Sequence, residues 1–79
     1  MIADTLSVKS FINSLGETVH YNDSIDMGRS LKVVYNASQF KKAFEVATIL
    51  QKKFPNNVVR VYSPVTNVRW GYSVRIWTR

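Results

Sequence analysis

The chain of 79 residues has no cysteine, so neither a disulfide framework nor a thiolate metal site can supplement its core. His20 is its one histidine, and its five carboxylates are spread from Asp4 to Glu45 without a paired spacing on one element. A nucleophile needs an activating partner within reach, and a closed metal site needs more N or S donors than His20 with Asp23 and Asp26 provides. His20 therefore reads as a surface histidine beside a turn. The three glycines, Gly16, Gly28 and Gly71, are too far apart to form a phosphate-cradling loop. No apolar run approaches the roughly 18 residues needed to span a bilayer, and the N-terminus lacks the basic start and apolar stretch of a signal peptide. These absences lead us to expect a non-enzymatic, cytoplasmic protein with no cofactor and no membrane association.

The scarcity that says most is of negative charge in the C-terminal part. Residues 1–28 hold Asp4, Glu17, Asp23 and Asp26 against Lys9, whereas residues 29–79 hold ten Lys and Arg against the single acid Glu45. The basic residues after Glu45 are interleaved with Tyr62, Trp70, Tyr72 and Trp77. Such a surface attracts polyanions or acidic proteins and speeds their encounter.

A chain of this length forms one domain, residues 1–79, because it buries only about 60–65% of its unfolded surface and has too little apolar material for two cores. Its 46% of hydrophobic residues is ample for folding and excludes the disordered class. Val8, Phe11, Ile12 and Leu15 form one helical stripe, with Asp4, Thr5 or Ser7 as N-cap and Gly16 as stop. Thr18–Asn22 alternates as a short edge strand and leads into an Asn22-Asp23-Ser24 turn. Ser30–Asn36 reads as a strand whose odd positions, Leu31, Val33 and Tyr35, make the better core face. A long helix is expected over about Ser38–Phe54, with Phe40, Ala43, Phe44, Ala47, Leu50 and Phe54 inward and Val46 and Ile49 widening the arc. Asn36-Ala37-Ser38 matches a glycosylation acceptor but is better read as the cap of that helix, and Pro55-Asn56-Asn57 as its stop. Val58–Ser63 and Val68–Thr78 then alternate around Ser63–Asn67 as a hairpin.

The expected fold is thus α+β in the order α-β-β-α-β-β, the long helix packing on a three- or four-stranded, mostly antiparallel sheet. A parallel pair would arise if the strand before that helix paired with the strand after it. The expected core contains Phe11, Leu15, Phe40, Phe44, Ala47, Leu50, Val59, Val61, Tyr72, Val74 and Ile76.

Parity assigns the candidate binding residues. In the last strand Val68, Trp70, Tyr72, Val74, Ile76 and Thr78 share the core face, which leaves Arg69, Gly71, Ser73, Arg75, Trp77 and Arg79 on the other. With Val59 and Val61 inward, the outer face shows Arg60, Tyr62, Arg69, Arg75, Trp77 and Arg79, and Lys32 joins if its strand belongs to the same sheet. Arginine forks bind phosphate or carboxylate, and a flat aromatic offers a stacking platform for a base. Trp77 has two other uses open to it: packing under the first helix, or stacking on Arg75 and Arg60 across the hairpin.

Lys41, Lys42, Lys52 and Lys53 on the long helix form a second candidate for phosphate contact, or simply a solvated helix face. Arg69–Ile76 has the basic, glycine and aromatic make-up of an RNA-recognition strand, but the spacing fails after Tyr72 and Val74 stands where an aromatic belongs, so it carries no assignment. The expected function is binding of nucleic acid, DNA or RNA, through its backbone with possible base stacking. The alternative is a protein-interaction module that binds and modulates an acidic protein partner, as small accessory proteins of phages do. A homodimer is compatible with either.

Overall fold

The structure is a computed structural model that describes residues 1–21, 28–63 and 71–79. The Asp4 carboxylate accepts the Ser7 main-chain N–H at 2.9 Å and so caps helix α1 (Thr5–Ser14). Bonding to Ser7, with a smaller contribution from Arg79, holds that carboxyl below its ordinary range. Strand β1 (His20–Tyr21) is short and exposed, and β2 (Ser30–Tyr35) follows. Asn36 then builds a capping box. Its side chain accepts from the Ser38 N–H at 3.1 Å while its own N–H donates to Gln39 Oε1 at 3.1 Å. The 3-10 turn so closed, Ala37–Gln39, delivers the chain into helix α2 (Phe40–Lys53). Strands β3 (Val59–Tyr62) and β4 (Tyr72–Trp77) complete the fold. The element order is the expected one with that turn added, and α2 begins at Phe40, after the turn.

The sheet has four strands in the order β1-β2-β4-β3, every neighbouring pair antiparallel. The conditional parallel pair is overturned. β2 and β3 do run in the same direction, but β4 lies between them and pairs with both. The buried faces explain the placement. Val74 and Ile76 of β4 are both 1% exposed, which suits a central strand, whereas the β3 residues are only partly buried or exposed, which suits an edge.

Both helices lie on one face of this sheet. The core joins Val8 and Ile12 of α1, Ala43, Val46 and Leu50 of α2, Leu31, Val33 and Tyr35 of β2, and Val74 and Ile76 of β4. Phe11, Ala47, Phe54, Val59, Val61 and Tyr72 pack at its margin, and the rings of Phe11 and Phe54 meet edge to face at 5.5 Å. Leu15, expected in the core, is the half-buried C-cap residue of α1.

The main correction concerns α2. Phe40 and Phe44, expected inward, are 46% and 51% exposed, and Val46, expected on the flank, is in the core. Ala43 has no exposed surface and sits on the helix face turned to the sheet, where a small side chain lets helix and sheet approach closely. The two phenylalanines are displaced to the flank, where they reach the Tyr72 ring at 6.4 and 6.1 Å. None of the helices in the described residues is long and apolar enough to cross a membrane.

Sequence reading passed over Asn57 as part of a helix stop, yet it ties both ends of the chain together. Its side-chain oxygen accepts the Ala3 N–H at 3.0 Å, and its amide donates to the carbonyls of Ala3 at 3.2 Å and Trp77 at 2.8 Å. Thr5 and Thr78 hydroxyls meet at 2.7 Å beside it. Gly71 holds the other end of β4. Its φ is +91°, and a Cβ there would stand 2.7 Å from the Ala37 nitrogen.

Candidate functional site

Because both helices pack on one side of the sheet, no described helix or strand packs on the other. Antiparallel pairing aligns four basic side chains across it. His20 stands opposite Lys32, Lys32 opposite Arg75, and Arg75 opposite Arg60. With strands about 4.8 Å apart, this row runs roughly 14 Å across the sheet, perpendicular to the strands. One flanking row is Val34, Ser73 and Tyr62. The other is Ser30 opposite Trp77, whose N–H donates to the Val58 carbonyl at 3.0 Å and so brings Val58 alongside.

Arg75 occupies the centre. Its guanidinium lies over the Tyr62 ring at 5.0 Å and over the Trp77 ring at 5.6 Å, contacts each worth about 0.5–1 kcal/mol at an exposed site. Stacking engages the face of a guanidinium and not its in-plane N–H donors, so the two rings fix the orientation of the Arg75 plane. Trp77 does not pack under α1, since it is on the opposite side of the sheet, and its cation partner is Arg75. Beside the row, His20, Tyr21, Lys32 and Val34 line a shallow depression at the β1 edge.

Among the described residues this face holds no acid. Of the described acids, Asp4 caps α1, Glu17 lies 3.4 Å from Lys42, and Glu45 is on the exposed side of α2, so all three belong to the helical layer. Asp23 and Asp26 lie outside the described residues. Lys32, Arg75 and Arg60 are like charges in direct cross-strand register, an arrangement that is unfavourable by itself.

Family models, curated proteins and solved structures offer no match to this chain. The geometry alone therefore carries the reading. Of the residues singled out from sequence, Lys32, Arg60, Tyr62, Arg75 and Trp77 come together on this face. Arg69 lies outside the described residues, as do Trp70 and most of the hairpin connection. Arg79 leaves the face: β4 has ended, its N–H donates to the Ala3 carbonyl at 3.2 Å, and its guanidinium stands 4.0 Å from Asp4.

Lys41, Lys42, Lys52 and Lys53 are exposed on α2, across the core from the cation row, so the two candidate sets do not form one surface. Two of them have local roles, Lys42 in the ion pair with Glu17 and Lys53 over the Phe11 ring at 5.5 Å. His20, set aside in sequence as a surface histidine, ends the cation row. Strand alternation placed it opposite in parity to Tyr21, but only the β1–β2 register aligns it with Lys32. The described residues contain no group of three or more His, Cys, Asp or Glu that could hold a metal ion.

Proposed function

We propose that the helix-free face of the sheet binds nucleic acid through its phosphates, without catalysis. The observation that carries this reading is the in-register row His20–Lys32–Arg75–Arg60 with Tyr62 and Trp77 on either side of its centre. In-register like charges cost roughly 0.2–1 kcal/mol per pair, a cost that an anionic ligand reverses. Lysine supplies a point charge and arginine a bidentate fork, the two ways proteins hold phosphate. Fluorescence anisotropy of labelled oligonucleotides against salt tests the reading. Three cations contacting roughly three phosphates give a slope of log K against log salt of about −2 on single strands and −3 on duplex. Arg60→Thr weakens binding while leaving the melting temperature unchanged or raised. No binding to DNA or RNA at low salt, or binding indifferent to salt, refutes the proposal.

A second reading rests on the opposite face. Phe40, Phe44 and Ile49 are each more than 40% exposed on α2 beside Lys41, a mixture of apolar and basic surface that suits an acidic protein partner. A pull-down from the native host decides between them. One stoichiometric, nuclease-resistant protein, lost with Phe44→Ala and retained with Arg60→Thr, moves the function to α2.

A further inference from the structure

We infer that the outward face of α2 docks on the same face of a second copy of this chain, forming a two-fold dimer. This goes beyond the nucleic-acid reading and uses the opposite side of the molecule. Phe40, Phe44 and Ile49 are 46%, 51% and 41% exposed, and with Lys41, Glu45 and Thr48 they line one open groove along the helix. Contacts with Tyr72 at 6.4 and 6.1 Å hold both phenylalanine rings in place. The Thr48 hydroxyl donates to the Phe44 carbonyl at 2.9 Å, so covering Thr48 leaves no hydroxyl unpaired. Half of a phenylalanine surface is roughly 100 Å², so the three apolar side chains offer about 250–300 Å² per copy. An interface built on them falls at the small end of the specific range, which makes the dimer weak and reversible.

Charge selects the second copy as the occupant. Lys41 and Glu45 both line this groove, both are exposed, and neither has an ion-pair partner among the described residues. Their spacing of four residues puts the lysine first, the weaker orientation for a pair within one helix. A partner surface of one charge sign would pair one of them and desolvate the other against a like charge. A second copy pairs both. In an antiparallel two-fold arrangement the register that sets Lys41 of one copy against Glu45 of the other does so twice, and it brings the two Phe44 rings together beside the axis. A parallel arrangement sets Lys41 against Lys41 and is disfavoured for that reason. Glu45 is the single acid among residues 29–79, so it is the one carboxylate that this basic stretch can offer to a lysine of another copy.

Sedimentation equilibrium of the full chain at concentrations up to about 1 mM is the test, and a monomer–dimer equilibrium with a Kd of roughly 10–300 μM is expected. Phe44→Ser is expected to weaken it at least about tenfold. Lys41→Glu and Glu45→Lys should each do the same, because each sets like charges together across the axis. An equimolar mixture of those two variants should restore the dimer, since unlike charges again meet at both contacts. Repulsion between whole molecules predicts otherwise. Lys41→Glu lowers the net charge of +6 and Glu45→Lys raises it, so that effect would shift association in opposite directions. Both charge changes lie on the exposed side of α2, and they carry the test if circular dichroism shows Phe44→Ser unfolded. A chain that stays monomeric at about 1 mM, a dimer indifferent to these variants, or charge variants that act in opposite directions overturns the inference. The nucleic-acid reading survives each of those results, because its oligonucleotide titration reads the other face. A monomer that captures an acidic protein through Phe44 leaves the groove to the second reading.

Discussion

Asn57 offers the sharpest test of how this small fold is held. The residue is 4% exposed, and its side chain makes three hydrogen bonds, one from the Ala3 N–H and two to the carbonyls of Ala3 and Trp77. Asn57→Ala removes all three but leaves the main-chain bonds of the same residue, Asn57 N–H to the Phe54 carbonyl at 3.1 Å and Gln51 Nε2 to the Asn57 carbonyl at 2.9 Å. The loop itself should therefore persist while the chain ends come loose. The Ala3 carbonyl keeps the Arg79 N–H, but the Ala3 N–H loses the acceptor it has here. At about 1 kcal/mol per bond the substitution costs about 3 kcal/mol. A domain of this length has roughly 4–12 kcal/mol in all. Equilibrium urea unfolding measures it: with a slope of about 1 kcal/mol/M, the midpoint falls by roughly 3 M. Asn56→Ala is the control. Asn56 is exposed and makes a single 3.3 Å bond to the Met1 carbonyl, so its loss should cost no more than about 0.5 kcal/mol. If Asn57→Ala unfolds within 0.5 kcal/mol of the unsubstituted protein, or no lower than Asn56→Ala, the clamp is not what joins the ends.

Three further outcomes are expected. Phe44→Ala should cost about 1 kcal/mol, since its ring is half-exposed, against about 2–5 kcal/mol for Leu50→Ala in the core, and thermal melts of the two variants compare them. Gly71→Ala should destabilise far more than Gly16→Ala in urea melts, because both glycines have positive φ but only Gly71 would drive its Cβ into main-chain atoms, those of Tyr35, Asn36 and Ala37. Burial, and then the Glu17 carboxylate beside it, raise the Tyr35 phenol above its ordinary value. As pH rises through about 10 the unfolded chain ionises first, so the stability contributed by the neutral phenol is present below that pH and is lost above it at up to about 1.4 kcal/mol per pH unit. Tyr35→Phe removes the titrating phenol and should abolish this alkaline loss, which urea melts across roughly pH 8–11 measure.

The contrast between α2 and the strands shows how far local pattern reaches. The 3.6-residue period identified a helix correctly, yet Phe40, Ala43, Val46 and Leu50 spread over an arc wide enough to admit several inward directions, and hydrophobicity alone favoured the phenylalanines. Packing chose otherwise, turning Ala43 inward and leaving Phe40 and Phe44 at the flank against Tyr72. In strands the period of two leaves one binary choice, and Val74 and Ile76, at 1% exposure each, settle it for β4. Asn57 was illegible for another reason. Its partners Ala3 and Trp77 are 54 and 20 residues away, and no local signal marks such a contact.

By itself the sequence determined an α+β domain with two helices, the sorting of charge along the chain, and which side chains share a face within each strand, because these follow from composition and from periods of two and 3.6. Tertiary structure decided what those faces become. The insertion of β4 between β2 and β3 put Lys32, Arg75 and Arg60 side by side, the β1 register added His20, and both helices packed on the side of the sheet away from that row. Strand order and register depend on long-range pairing, where each candidate partner presents the same backbone donors and acceptors, so only the joint burial of all the apolar faces selects among them.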